Sequence, residues 1–140
     1  MSKTIVKTEI NSRNPEIFSD FFTDFSRNAV TGQLNKKRNE AAVIQSVRNL
    51  LLTDRGERLF HPEIGSSIRS LLFENATVDA LLMTRQLVQE VFEKHEPRAN
   101  LLFSDVTFDT DRNQAYITVR FSLINSTEPV TFNLTLERTR

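Results

Sequence analysis

Hydrophobic and polar positions divide the chain into zones of different period. From 39 to 52 the apolar residues recur at helical spacing: Val43, Val47 and Leu50, joined by Ile44 and Leu51, with Gln45, Arg48 and Asn49 away from the stripe. Asn39 is the candidate N-cap, and Gly56 suits a left-handed position just after the helix. Pro62 and Gly65 predict an ordered turn over 57–65, after which Ser66 or Ser67 can cap a short helix through Leu72 and Phe73. The longest helix is predicted over 78–95, with Thr77 as N-cap and Asp79 in its first turn. Val78, Leu81, Leu82, Val88, Val91 and Phe92 share one side of it. Arg85 falls among them, where it must snorkel or find a carboxylate. Pro97 ends the helix, because the residue before a proline is pushed out of the helical region.

Beyond residue 100 the period changes to two. Ala115, Ile117, Val119, Phe121 and Leu123 alternate with polar neighbours over 115–124, as do Val130, Phe132, Leu134 and Leu136 over 130–138. In 101–109, Leu102, Val106 and Phe108 are predicted to face one way, with Ser104 interrupting. Short polar loops at 110–114 and 125–129 favour a three-stranded antiparallel meander. Helices followed by strands predict an α+β fold in which two main helices and a short one cover one face of that sheet. The expected organisation is an N-terminal arm over 1–38 and a single domain over 39–140.

The arm has one pattern of its own. Asn14-Pro15-Glu16 can open a short helix, on which Phe18, Phe21, Phe22 and Phe25 fall at i, i+3, i+4 and i+7. That strip either covers the domain's own core or anchors a partner protein. Lys36-Lys37-Arg38 reads as a solvated loop, since three charges are too few for a nucleic-acid footprint.

Composition narrows the chemistry. The 140 residues contain no Cys and only two His, which removes disulfides, thiolate metal sites and cysteine nucleophiles. The 18 basic and 18 acidic residues cancel, which disfavours nucleic acid or an anionic membrane as a partner. No run reaches the roughly 18 apolar residues of a membrane span, and the start of the chain lacks the apolar core of a signal peptide, so cytoplasmic assembly is expected. Eleven Phe stand against one Tyr and no Trp. Phe60, Phe73, Phe92, Phe108, Phe121 and Phe132 are the expected core aromatics, while Phe103 lies on the less apolar side of its strand.

Candidate chemistry is sparse. Asp109-Thr110-Asp111-Arg112-Asn113 imitates the opening of a calcium loop, but Gln114 and Arg120 stand where Gly and Glu are required, so it reads as a hairpin turn. His61 and Glu63 offer two metal ligands with no third, and His95 suits a helix C-terminus. No cofactor or metal is expected. Two charged clusters remain: Arg55-Gly56-Glu57-Arg58 between helices, and Glu96-Pro97-Arg98 between the long helix and the sheet. Each is either part of an internal salt-bridge network, which Arg85 could join, or a docking knob for a partner.

The stretch from Ser46-Val47-Arg48-Asn49-Leu50-Leu51-Leu52-Thr53, through Arg55-Gly56-Glu57-Arg58, Phe60, Pro62-Glu63 and Gly65, resembles the central motif of the baseplate wedge family of contractile-tailed phages. That family is shared with a type VI secretion baseplate component. Leu71-Leu72-Phe73-Glu74 and Glu96-Pro97-Arg98 follow in the same order. The resemblance covers about residues 18–138. It implies a non-catalytic subunit of the virion tail baseplate, with larger wedge proteins, the sheath subunit and neighbouring tube or hub proteins as partners. It implies that Glu96, Pro97 and Arg98 touch the core bundle of the larger wedge proteins. It also implies a sheet like the handshake part of the sheath subunit, which starts sheath assembly by accepting strands. The last predicted strand, with Val130, Thr131, Phe132, Asn133, Leu134, Thr135 and Leu136, has no later segment to cover it and is the expected site of strand addition. Some members carry a lysozyme-like label, so the alternative is a small peptidoglycan-degrading tail enzyme.

Overall fold

The computed structural model describes residues 16–72, 77–109 and 111–137. The expectations for Asn14-Pro15, Phe73, Glu74 and Arg138 lie outside the described residues. Eight elements follow in chain order: β1 (Ser19–Phe21), β2 (Lys36–Arg38), α1 (Glu40–Leu52), α2 (Ile68–Leu72), α3 (Val78–His95), β3 (Ala99–Asp109), β4 (Gln114–Leu123) and β5 (Pro129–Glu137). β3, β4 and β5 form an antiparallel sheet in sequential order, and β1 pairs with β2 in a separate ribbon. The α+β class and the three-stranded meander are therefore as the periodicity predicts.

The core lies between the helices and the inner face of the sheet. Val43, Val47 and Leu51 of α1, Ile68 of α2, and Val88, Val91 and Phe92 of α3 meet Ala115, Ile117, Val119 and Phe121 of β4 and Phe132, Leu134 and Leu136 of β5. Phe121 is fully buried at the centre, tilted against Phe92 at 5.8 Å and edge-on to Phe132 at 6.2 Å, the offset arrangements that aromatic rings prefer.

Burial corrects the predicted face of α3. Val78 and Leu82 are exposed, and Ala80 and Thr84 take the inward positions. Small residues there let the first half of α3 approach its neighbours closely. The Thr84 hydroxyl avoids the cost of burial by donating to the Ala80 carbonyl at 2.8 Å. Thr77 caps the helix as expected, accepting from the Ala80 N–H at 3.2 Å. Asn39 occupies the N-cap position of α1 with positive φ, but its side chain turns away from the helix and accepts from the Ile17 and Phe18 N–H groups.

The irregular strand is β3. Leu101 pairs with Phe121 and Phe103 with Arg120, so Leu102 is one extra residue, a β-bulge. The bulge reverses the alternation. Leu101 packs against the core, and Leu102 is 55% exposed, contrary to the expected inward Leu102. After the bulge Ser104, Val106 and Phe108 face inward, paired with Val119, Ile117 and Ala115. Ser104 is thus an inward residue of a strand whose parity has shifted.

The arm is not a helix. Residues 17–38 form an irregular two-stranded ribbon, with Ser19↔Arg38, Asp20↔Lys37 and Phe21↔Lys36 in register and a further bridge between Arg27 and Leu34. Phe18, Phe21, Phe22 and Phe25 therefore do not share a helical face. Backbone bonds to Asn39 hold the start of the ribbon extended, and Phe25 has φ 50°, outside the right-handed region. Lys36-Lys37-Arg38, expected as a loop, is the second strand of that ribbon. Among the described residues no helix is long and apolar enough to cross a membrane.

Candidate functional site

A cleft of about 350 Å³ is lined by Arg58 of the first cluster, by Asp20 and Ser46, which bond to Arg98 and Glu96 of the second, and by residues that include Gln45, Asn49 and His95. α1 forms its floor. The loop after α1 brings Arg58 to one wall, and the end of α3 brings His95 to another. The loop is closed by a parallel bridge between Asp54 and Ser66, in which the Ser66 N–H donates to the Thr53 carbonyl at 2.8 Å. Gly65 makes this closure possible. A Cβ there would lie 2.5 Å from the Thr53 oxygen, and its φ of +123° is one that side-chain-bearing residues rarely adopt. Ser66 is buried and donates its hydroxyl to the Leu51 carbonyl at 2.8 Å, tying the loop to the last turn of α1.

Arg98 organises the second cluster. Its Nε and Nη2 donate to the two oxygens of Glu96 at 2.6 and 2.9 Å, a bidentate fork. Nη1 donates to Asp20 of the ribbon at 3.1 Å, and the guanidinium lies 5.8 Å from the centre of the Phe18 ring. Glu96 is 1% exposed. Burial pushes its carboxyl pKa up, but hydrogen bonds from Arg98 and the Ser46 side chain outweigh this and hold it below the ordinary value. The hydrogen bond to Glu96, and after it the one to Asp20, raises the Arg98 pKa against the opposing effect of burial. Pro97 between them is exposed at the corner. The Arg98 carbonyl accepts from the Ile124 N–H at 3.1 Å, fastening the corner to the end of β4.

The remaining arginines are divided. Arg55 pairs with Glu90 at 2.7 Å, and Glu90 also pairs with Lys94. Hydrogen bonds from Lys94 and then Arg55 lower the Glu90 carboxyl pKa. Glu57 turns back to accept from the Asp54 N–H at 3.0 Å, and Gly56 takes a positive φ as the turn requires. Arg85 pairs with Asp105 of β3, so it finds a carboxylate, but it does not join the Arg98 network. Asp105 pairs with Thr118 on the outer face of the sheet while α3 covers the inner face, so Arg85 reaches past the free edge of β3.

One expected core aromatic departs from its role. Phe60 is not core: it is 94% exposed beside Leu59 at 85%, at the tip of the loop and with φ 69°. Helical spacing does not reach into an irregular loop, so nothing local decides which way Phe60 points. His61 Nδ1 lies 3.3 Å from Glu63, and no group of three metal-ligating side chains occurs among the described residues. Asp109 accepts from the Asp111 and Arg112 N–H groups, so this segment is a turn. Asp20 and Ser46, which complete the Arg98–Glu96 unit, had no signal in the local pattern. Leu102 had one: three consecutive apolar residues, Leu101-Leu102-Phe103, break an alternating strand.

Among the described residues, β5 forms the other edge of the sheet. Its inner positions Val130, Phe132, Leu134 and Leu136 pair with Phe121, Val119, Ile117 and Ala115, and Thr131, Asn133 and Thr135 face outward. It carries no bulge, and Val130–Leu136 contains no charge.

The sequence model of the family described as baseplate wedge protein gp25 matches residues 37–128, which include both charged clusters and most of the sheet. The baseplate wedge protein gp25 of Enterobacteria phage T4 is 28% identical over 100 residues, 69% of this chain and 76% of the phage protein. Among solved structures, a candidate tail lysozyme of Geobacter sulfurreducens matches with a TM-score of 0.63 at 21% identity, covering 70% of this chain and 89% of its own. A chain of the anti-feeding prophage baseplate matches with a TM-score of 0.60 at 22% identity, covering 84% of this chain and 83% of its own. A chain of the post-contraction pyocin R2 baseplate matches with a TM-score of 0.51 at 18% identity, covering 81% and 98%. The fold is shared with all three structures, and the match over residues 37–128 decides the assignment: the chain belongs to the baseplate wedge protein gp25 family and is a baseplate component of a contractile tail.

Proposed function

We propose that this chain is a non-catalytic wedge subunit of the virion tail baseplate, assembled in the host cytoplasm. It joins the core bundle of larger wedge proteins through the corner at Glu96, Pro97 and Arg98. It starts the sheath by accepting a strand along β5, and neighbouring tube or hub proteins complete its surroundings.

The observation that carries this reading is the asymmetry of the two sheet edges. The β3 edge is interrupted by the bulge at Leu102 and crossed by Arg85 on its way to Asp105. Both are devices that discourage pairing. The β5 edge has neither, and its uncharged outer side chains would not repel an added strand. At the corner, Arg98 has its hydrogen-bonding fork occupied within the chain, so Pro97 and the shape that Arg98 holds are the surface offered to a partner.

The charged groups favour a structural role over peptidoglycan cleavage. A general acid for glycoside hydrolysis needs a raised carboxyl pKa. Hydrogen bonds hold the carboxyl pKa of Glu63, Glu90 and Glu96 below the ordinary value, so none of these three is such an acid. The test is sheath growth on assembled baseplates, viewed by electron microscopy. Asn133→Pro, and separately Thr131→Lys with Thr135→Lys, should give baseplates that carry no sheath. Sheaths of ordinary length with both variants would refute strand acceptance at β5. Dose-dependent clearing of a peptidoglycan suspension by the purified chain, abolished by one carboxylate substitution, would favour the enzyme instead.

A further inference from the structure

The ribbon of residues 17–38 stands almost wholly outside the matched span of 37–128. Its root is used internally. Phe18 lies under Arg98, Asp20 binds Arg98, and the Gln45 amide donates to the Phe21 carbonyl at 2.7 Å. Its outer part is not. Phe25 is 65% exposed and Val30, at the tip, 92%, and Phe21 and Leu34 are also exposed.

Charge on the ribbon is one-sided. Arg38 pairs with Glu16, but Arg27, Lys36 and Lys37 have no carboxylate partner among the described residues. Asp24 is exposed and accepts from the Ser26 N–H, so these three cations stand against one such carboxylate. The ribbon also has a defined shape: Asn28 accepts from the Val30 and Thr31 N–H groups, and Gly32 bonds back to the Asn28 carbonyl. A preformed surface loses less entropy on binding.

We infer that this ribbon is a docking arm for an acidic, aliphatic-bearing protein segment of a neighbouring baseplate subunit, with Phe25, Val30 and Leu34 as apolar anchors and Arg27 and Lys36 as the cations that set its register. Exposed apolar side chains on the same ribbon as cations without a carboxylate partner match carboxylates set beside aliphatic groups. Nucleic acid fits less well. Lys36 lies 5.7 Å from the Phe21 ring centre and Lys37 lies 5.2 Å from that of Phe22, so one face of each of these two rings is already taken from a stacking base. The inference rests on the wedge reading above, because it needs baseplate neighbours.

The test uses photo-crosslinking in assembled tail particles. A photoreactive side chain is placed at Val30 in the full chain, and in a parallel preparation at Asn100, beside the corner. Support is a Val30 link to an Asp/Glu-rich segment of another baseplate subunit, with the yield cut by roughly tenfold in Arg27→Glu/Lys36→Glu. Both substituted residues are exposed, and an unchanged thermal melt checks that the variant folds. A Val30 link to a neutral or basic segment, to nucleic acid or to nothing overturns the docking arm, as does a yield indifferent to the charge reversal. If Asn100 still links to a baseplate neighbour in those cases, the wedge reading stands. Particles that lack the chain, or that link at neither site, overturn both.

Discussion

Arg98→Ala tests the physics of the corner most sharply. Glu96 is 1% exposed, and two of its hydrogen bonds, at 2.6 and 2.9 Å, come from Arg98. Removing Arg98 strands a buried carboxylate, which costs about 3–5 kcal/mol, a large share of the roughly 5–15 kcal/mol that holds a domain together. The loss depends on pH in a definite direction. In the parent chain the folded Glu96 pKa lies below its unfolded value, so its contribution is full above the unfolded pKa and lost as pH falls through the folded one. Without Arg98, burial dominates and the folded pKa rises above the unfolded value of about 4.3. The variant is then penalised as pH rises above that value and relieved as pH falls. Urea unfolding at about pH 7 and about pH 4.5 should therefore show a gap between parent and variant that narrows in acid. Adding Glu96→Gln should recover part of the loss at neutral pH, because the uncompensated charge is gone. A gap under about 1 kcal/mol at neutral pH, or one that does not change with pH, would refute the reasoning.

Other predictions follow from the same geometry. Gly65→Ala should destabilise by about 2 kcal/mol or more, because its Cβ would meet the Thr53 backbone oxygen, whereas Gly56→Ala, with open space around it, should cost only about 1–2 kcal/mol; thermal melts compare the two. Deleting Leu102 should leave a folded protein, because it removes the extra residue and keeps both flanking registers, whereas deleting Thr107 should not fold; circular dichroism distinguishes them. Phe121→Ala should cost about 3–5 kcal/mol by denaturant unfolding, whereas Phe60→Gly should stay within about 1 kcal/mol of the parent, since Phe60 is exposed with φ 69°. Asp105→Asn should change stability by no more than about 1 kcal/mol, because both partners of that ion pair are more than two-fifths exposed, at 44% and 42%; a larger change in melting would contradict the edge-guard role.

The features legible before folding are those a short window of residues can encode. The α1 stripe of Val43, Val47 and Leu51, the Thr77 cap, and the inward faces of β4 and β5 are as the pattern predicts, because amphipathic period and capping are properties of neighbouring residues. The order of helices and strands carried the α+β class for the same reason. Tertiary structure decided what depends on distant partners. Asp20 meets Arg98 across 78 positions, and nothing near either residue announces the other. The Phe strip has helical spacing but lies in a ribbon, because pairing with Lys36–Arg38 and the bonds to Asn39 outweigh a local pattern that nothing else supports. On α3, exposure of Val78 and Leu82 and burial of Ala80 and Thr84 reflect where its neighbours lie, which the apolar count along one helix does not contain. The bulge at Leu102 and the reach of Arg85 make one sheet edge unlike the other. That difference between edges exists only once the strands are paired, because a free edge is a property of the sheet and not of any strand in it.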